Sequence, residues 1–206
     1  MATERSPEQV LEDNIQILGQ DLGETFTYFY NDFLNLLLEW DLYRSLFGTN
    51  KERVDLLNSV SSGTAFLLEK QLFYSILLGL RRVSEQTKGD PRQGQICMDK
   101  LLHFVPEDEK KRTLRPKAKL VRSRCGFAKN WADKKIAHAD WNVRTGRAEL
   151  ETVSRENVEN AFCSIAEFIQ CFGKLYMNTT YVFDVIRPLG DDEMTFLETL
   201  YEGHKA

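Results

Sequence analysis

Apolar residues recur at helical spacing along most of the chain, and this spacing constrains the fold more than any other feature. The clearest run, at residues 26–40, places aromatic and leucine side chains three or four positions apart. Such spacing gives a helix one apolar face, which must be buried against other helices. We find no convincing strand, internal repeat or low-complexity segment. The pattern therefore predicts an all-α, up-down helical bundle of about four main helices with short accessory helices.

Capping and turn residues set the expected bounds in the first half of the chain. A helix is expected to begin at Pro7, and Gly23 is expected to bend or split it from a run that ends near Gly48. Thr49 or Asn50 is then expected to cap a helix over residues 51 to about 87. The small polar segment 61–63 within it is expected to form a kink, because such residues weaken a helix interior.

The second half of the chain gives a similar set of expectations. A short helix is expected at 95–104, and the acidic segment 107–109 suits another helix start. Pro116 either kinks that helix or, as the favoured alternative, lies in the first turn of a new helix that reaches His138. Residues 143–147 resemble a turn or small hairpin, after which Ser154 caps a helix to about residue 178. We expect two units, a bundle over residues 1–178 and an accessory tail over 179–206 whose short helix packs on it.

Composition excludes several classes of protein. The four cysteines include no C-x-x-C pair and are expected to be reduced core residues. No apolar run approaches the roughly 20 residues that a membrane span needs, and no signal pattern opens the chain. Clustered histidines or carboxylates are lacking, so neither a metal nor a cofactor is expected. We therefore expect a cytoplasmic protein without membrane contact.

A basic run over residues 110–135 stands out from an otherwise acidic chain. It holds eleven of the 27 lysines and arginines and, at Asp133, one of the 31 acidic residues. The rest of the chain consequently carries 16 basic and 30 acidic residues. Such asymmetry indicates an anionic ligand, a nucleic acid or an acidic partner surface, although a solvated helix face would look the same.

A continuous helix through the basic run would give His138 a distinctive surrounding. At about 100° per residue, four other side chains share its face. These are Arg124, Phe127, Trp131 and Lys134. One imidazole, two cations and two aromatic rings could hold a phosphate and stack a base. Two alternatives remain open, in which Trp131 packs in an interface and His138 hydrogen-bonds a carbonyl of the last helical turn.

The segment Asp133-Lys134-x-x-Ala137-His138-x-Asp140 resembles the signature of the HEPN superfamily, and within it the AbiU-like abortive-infection branch. Two other stretches are similar to that branch. Arg82 and Glu85 match the family pattern Arg-Leu-x-Asp at the end of a helix, and residues 191–203 resemble its closing amphipathic helix. The resemblance implies a homodimer whose interface forms a cleft lined by the motif of both subunits.

The resemblance also implies a chemistry. Active HEPN proteins are metal-independent RNases in which an arginine and a histidine promote attack of the ribose 2′-hydroxyl on the adjacent phosphate. His138 would exchange the proton. The family arginine falls on Ala132 here, which leaves Lys134, one turn from His138, or Arg124, about four turns away, as the substitute charge and implies a weak or inactive RNase. The expected nucleic-acid contacts are Lys117, Arg124, Phe127, Trp131, Lys135 and Arg82.

Two functions are compatible with these observations. The first is an RNA-associated HEPN-like protein of a defence or toxin–antitoxin system, with RNA as its candidate partner. The alternative is a non-catalytic, dimeric helical interaction protein whose basic helix binds an acidic partner, such as an antitoxin-like protein. A helical chain with one strongly basic segment satisfies both.

Overall fold

The computed structural model describes residues 5–48, 50–87, 89–90, 92–183 and 192–205. Within these ranges the chain forms helices and no strand, which confirms the predicted all-α class. The α-helices are α1 (Pro7–Leu18), α2 (Gln20–Tyr43), α3 (Lys51–Ser84), α4 (Met98–Phe104), α5 (Glu109–Arg124), α6 (Gly126–Trp131), α7 (Trp141–Arg144), α8 (Arg155–Phe172) and α9 (Asp192–Lys205). Three π turns span Arg44–Gly48, Ala132–Ile136 and Gly173–Met177.

The first two helices meet at an unusually close contact. Ser6 caps α1, and the break before α2 lies at Gly19, which has a φ of 82°. The prediction that Gly23 would bend or split the segment is therefore wrong, because Gly23 lies inside α2. A Cβ atom at Gly23 would lie 2.6 Å from the Cα of Ile15. Glycine at this position lets the two helix backbones approach each other.

The long helix α3 follows the sequence prediction closely. The Asn50 side chain accepts a hydrogen bond of 2.8 Å from the backbone N–H of Glu52, which confirms it as the cap. The helix is kinked at Ser61, where φ is −163° and ψ is 92°. The expected kink is therefore confirmed at the first residue of the predicted segment.

The main core lies among α2, α3, α5 and α8. Aromatic side chains of α2 face those of α8 across it, and the rings of Phe26 and Phe172 stack with centroids 4.7 Å apart. Phe29 packs edge-on against Phe168 at 6.2 Å. The aromatic residues in the predicted apolar run are thus core residues, and Phe26, Phe29 and Phe33 are almost completely buried. Burial of large rings is the main stabilising contribution of such a core.

Helix α5 differs from its prediction at Pro116. The helix begins after Asp108, whose side chain caps it, and continues through Pro116 to Arg124. The proline removes one intrahelical hydrogen bond and normally costs about 3 kcal/mol in a helix interior. Leu114, Ala118 and Val121 are all fully buried on the same helix, and this packing offsets the loss.

The segment between α6 and α8 contains a helical turn instead of a hairpin. The Asp140 side chain accepts a hydrogen bond of 3.0 Å from the backbone N–H of Val143 and so caps α7. The expected turn is present, because residues 145 and 146 form a turn after α7 and Gly146 has a φ of 70°. The hairpin alternative is wrong, because the local cap favours one turn of helix. Ser154 caps α8 as predicted, through a bond of 3.1 Å from the N–H of Asn157.

A second, smaller cluster joins α9 to the kinked helix. Leu197 is buried with Leu46, Leu57 and Ala65. The division into residues 1–178 and 179–206 stays a prediction. Residues 1–4, 49, 88, 91, 184–191 and 206 lie outside the described residues, and with them the start of the closing segment at 191.

The cysteines occupy different environments. Cys97 and Cys125 are buried, Cys171 is half-buried and Cys163 is exposed, and all four are free thiols. The expectation of four core cysteines is therefore wrong for Cys163, which lies on the outer side of α8.

Membrane crossing is not supported by the described ranges. None of their helices combines the length and the apolar character that a bilayer span requires.

Candidate functional site

Helix α5 places seven of its eight cations on two flanks of its buried face, and the eighth, Arg112, is exposed outside both. One flank follows the spacing 4, 4 and 3 and faces α4, where Arg122 pairs with Asp99. Its members are Lys111, Arg115, Lys119 and Arg122. The other flank faces α8, where the Nζ of Lys117 lies 3.2 Å from a carboxylate oxygen of Glu167. Its members are Lys110, Lys117 and Arg124.

Acidic residues of the same chain neutralise part of the basic run. Glu107 pairs with Lys111 at 2.7 Å and with Arg115 at 2.8 Å, and the hydrogen bond from Lys111 lowers the pKa of Glu107. Together with the pairs to Asp99 and Glu167, these contacts engage several of the cations internally. The charge excess that the sequence shows is consequently smaller on the folded surface.

Other cations of the run remain unpaired. Seven of them form no ion pair with any described residue, namely Lys110, Arg112, Lys119, Arg124, Lys129, Lys134 and Lys135, and of these Lys110 and Lys135 lie over aromatic rings. Lys119 and Lys129 are exposed and both line cavities. These two lysines are therefore available to an anionic ligand.

Two adjacent cavities share Arg122. The first, of about 400 Å³, lies where the end of α3 meets α5, α6 and the π turn Ala132–Ile136. The second, of about 460 Å³, lies between α4 and α5. We call the two cavities together the basic groove. Its charged lining consists of Arg81, Lys111, Arg115, Lys119, Arg122 and Lys129, with Glu85, Asp99 and Asp133 as the acidic members.

Arg81 ties the end of α3 to the motif segment. Its Nε donates to Oδ1 of Asp133 at 2.9 Å, and its Nη1 donates to Oε2 of Glu85 at 3.3 Å. The sequence comparison with the family pattern selected Arg82, but that side chain pairs with Asp32 at 3.6 Å on the other side of α3. The sequence feature that identifies Arg81 is its four-residue spacing from Glu85, which is typical of an ion pair on one helix face.

The motif segment folds into a compact π turn. The N–H of Ala137 donates to the carbonyl of Ala132 at 2.9 Å, and the N–H of Asp140 donates to the carbonyl of Lys134 at 3.0 Å. Ala132, at the position of the family arginine, is 0% exposed. His138 lies on the bend that follows and is exposed. The histidine is therefore at the surface, whereas the position of its usual partner is in the core.

The predicted single helix from Pro116 to His138 is wrong. Cys125, with φ of −92° and ψ of 4°, interrupts it, and the π turn changes the angular step per residue beyond Trp131. The face deduced from a wheel of 100° per residue is consequently not maintained. Phe127 lies in the main core and is 7% exposed, which withdraws its ring from stacking on a base.

Trp131 is held from three sides. Its Nε1 donates to the carbonyl of Glu151 at 2.7 Å, and Phe73 packs edge-on at a centroid distance of 5.6 Å. The Nζ of Lys135 lies 4.6 Å from the centre of the same ring. These contacts favour the packing alternative for Trp131, and a role in base stacking would require Lys135 to move.

The chemistry of the first cavity excludes a thiolate nucleophile. Burial raises the pKa of the Cys125 thiol to about 12, while a hydrogen bond with Ser84 acts in the opposite direction. Cys125 therefore remains a protonated thiol at neutral pH and contributes a weakly polar wall. Within the described ranges, no group of three His, Cys, Asp or Glu side chains is arranged to hold a metal ion.

The structure does not gather the sequence-predicted site residues in one place. Lys117 contacts α8, Arg82 contacts α2, and Lys135 covers Trp131. The described lining of the basic groove includes neither His138 nor Lys134. Their catalytic role, and the binding role of Lys117, Arg124, Lys135 and Arg82, stay predictions. The groove cations were missed because the wheel was centred on His138 and extended through the break at Cys125.

Comparison with known proteins supplies the family. No curated protein and no solved structure matches the chain. The AbiU2 family of HEPN proteins matches residues 19–196, which is most of the chain. That range contains the end of α3, all of α5 and the complete motif segment. The chain therefore belongs to the AbiU2 family of HEPN proteins, a family of the abortive-infection, defence-related kind.

Proposed function

We propose that this defence-related HEPN protein binds RNA along the basic groove and is a weak or inactive metal-independent RNase. The observation that carries the proposal is the groove itself, in which six cations face three carboxylates across two cavities joined at Arg122. In a chain with a formal net charge of −4, this concentration of positive charge is the surface best suited to a polyanion.

The cations of the groove are of two kinds, those that form no ion pair and those that do. Lys119 and Lys129 have no ion pair with a described residue, so binding a phosphate breaks nothing within the protein. Arg122 keeps its pair with Asp99 and still lines both cavities. An RNA strand that follows the groove would therefore meet the unpaired Lys119 and Lys129 at its two ends and the fixed guanidinium of Arg122 between them.

Weak or absent catalysis follows from the position of the motif residues. In the family chemistry a cation stabilises charge on the phosphoryl oxygens while histidine moves the proton. Ala132 cannot provide that charge, and lysine at position 134 lacks the planar, bidentate geometry of arginine. Binding without efficient cleavage is the function that this set of side chains supports.

Fluorescence anisotropy with labelled single-stranded RNA over a series of salt concentrations tests the proposal. We expect binding at low salt that weakens steeply as salt rises, because bound phosphates displace counterions. Lys119→Glu and Lys129→Glu should each weaken binding for all sequences and make the salt dependence shallower by about one unit in the log–log slope.

The matched control is Lys174→Glu, which reverses the charge of an exposed lysine outside the basic run. It should leave affinity and slope within about twofold of the wild type, since surface charges far from the ligand are screened. Arg124→Glu tests the alternative that RNA binds the flank of α5 that faces α8. An effect of Arg124→Glu with none from the groove variants would contradict the groove, and undetectable binding at low salt would contradict RNA binding altogether.

The second candidate is an acidic protein partner. The pairs that Lys111 and Arg115 form with Glu107, and Lys117 with Glu167, show that this helix accepts carboxylates. Purification from cells with and without ribonuclease treatment separates the two functions. A protein partner remains bound after the treatment, whereas an absorbance excess from nucleic acid disappears.

A further inference from the structure

The first cavity of the basic groove contains unused hydrogen-bonding groups of both kinds. Asp133 and Glu85 each give one carboxylate oxygen to Arg81, and their other oxygens, Oδ2 and Oε1, accept no hydrogen bond from a described residue. On the donor side, the Nζ of Lys129 and the side-chain amide of Gln86 line the same cavity without a described partner. Acceptors and donors therefore line one cavity of about 400 Å³.

The charges around this cavity nearly balance. Three cations line it, Arg81, Arg122 and Lys129, against the two carboxylates of Glu85 and Asp133, and Arg122 is also paired with Asp99 of the second cavity. The second cavity is lined by Lys111, Arg115, Lys119 and the shared Arg122 against the single carboxylate of Asp99. The second cavity therefore suits phosphates, and the first suits an uncharged group with polar edges.

We propose that the first cavity binds one unstacked RNA base and prefers guanine. The proposal rests on the proposed RNA binding and adds the part of the RNA that this cavity takes. Sequence-specific recognition of single-stranded RNA commonly reads splayed bases through hydrogen bonds to their edges. The cavity volume falls within the range of sites for small ligands, so it has room for one base.

Guanine fits the arrangement of free groups. Its N1–H and N2–H₂ are neighbouring donors, and Glu85 and Asp133 each offer one free oxygen to accept them. Its O6 and N7 are acceptors, which lysine and arginine recognise most often. Lys129 supplies such a donor beside the carboxylates. The buried, protonated thiol of Cys125 gives the cavity a weakly polar wall against which a flat ring can pack.

The groove geometry connects this base to the strand. Arg122 lines both cavities, so a nucleotide whose phosphate lies at Arg122 can direct its base into the first cavity while its neighbours follow Lys119 in the second. One base would be read and the neighbouring phosphates would be held without regard to sequence.

The test uses the full chain and short labelled oligouridines that carry guanine, adenine, cytosine or uracil at one central position. We expect the guanine oligonucleotide to bind about tenfold more tightly than the other three, the discrimination that a good bidentate contact provides. Glu85→Gln keeps the size of the side chain and removes the carboxylate. It should abolish the guanine preference while oligouridine affinity stays equal or rises, because a negative charge leaves the groove.

Glu69→Gln is the matched control, the same substitution at an exposed position of α3 outside the groove, and it should keep the preference. A merely structural role of Glu85 would lower affinity for all four oligonucleotides together. Asp133→Asn provides a second test of the same carboxylate pair if Glu85→Gln is poorly folded.

The outcomes separate the two proposals. Equal affinity for all four oligonucleotides, with binding that still depends on Lys119, overturns the base site and leaves RNA binding intact. No binding of any oligonucleotide at low salt overturns RNA binding itself. A preference for a base other than guanine that persists in Glu85→Gln overturns the assigned contacts.

Discussion

His138 lies at the surface of the bend that follows the π turn Ala132–Ile136, and this exposure defines what it can do. An exposed imidazole can exchange protons with a bound strand near neutral pH. Its contribution to a rate is limited here, since Ala132 provides no charge for the phosphoryl oxygens. A positioned general acid or base contributes typically about 100-fold to 10,000-fold.

Metal-free incubation with RNA tests this residue. We expect slow cleavage or none from the wild type, and loss of any cleavage by about 100-fold or more in His138→Ala. RNA affinity should change less than twofold, because His138 lies outside the groove lining. His204→Ala serves as the comparison for the loss of a histidine. Equal cleavage by His138→Ala and wild type would exclude the catalytic role.

The two motif aspartates show how far sequence reasoning reaches for single residues. Asp140 caps α7 through a bond to a residue three positions away, and such local capping is readable from sequence. Asp133 pairs with Arg81, which lies 52 positions earlier in the chain. The motif predicted where the important segment lies, but the partner of Asp133 depends on tertiary packing that no local spacing reveals.

At the scale of elements, the contact between α1 and α2 depends on Gly23. Gly23→Ala would place a Cβ atom 2.6 Å from the Ile15 backbone, so one helix must shift. We expect a loss of about 1–3 kcal/mol in the free energy of unfolding, the usual cost of overpacking. Urea denaturation followed by circular dichroism measures it.

Gly63→Ala is the matched control within α3, because nothing lies within 4 Å of its added Cβ. It should stabilise the protein by about 0.5–1 kcal/mol through helix propensity. Equal effects of the two substitutions would show that the close approach of α1 and α2 does not matter to stability.

Element boundaries were predictable where their cause is local. Asn50 and Ser154 act as caps within three residues of themselves, and both helix starts were anticipated. Pro116 and Cys125 were misjudged for the opposite reason. Packing of α5 in the core keeps Pro116 within a helix. The interruption at Cys125 is marked in the sequence only by Gly126, and a lone glycine is also tolerated within a helix.

For the whole molecule, the family implies a homodimer. We expect size-exclusion chromatography with light scattering to give twice the chain mass of 23.9 kDa. A strand that contacts both subunits would raise the number of phosphates bound per particle, so the salt dependence should be steeper than one groove explains. A monomeric mass at micromolar concentration would contradict the dimer, while RNA binding by the monomer would leave the groove unaffected.

The charge asymmetry of the chain was visible in the sequence, but its surface distribution was not. Glu107, Asp99 and Glu167 come from neighbouring elements and engage part of the basic run. Arg81 joins the groove from α3, outside the run altogether. A linear count of cations therefore indicates the basic helix, whereas the side chains that meet across the groove depend on tertiary packing.

The burial of Ala132 also has a consequence for the history of this chain. A single mutation that placed arginine at position 132 would force a long, charged side chain into a site where the present Ala132 is completely buried. Overpacking alone costs about 1–3 kcal/mol, and an unpaired buried charge adds to that cost. Native proteins typically have a free energy of unfolding of only about 5–15 kcal/mol. Loss of the arginine is thus an easy step and its recovery a difficult one, so descendants of this chain would regain the complete motif only after neighbouring core residues had become smaller.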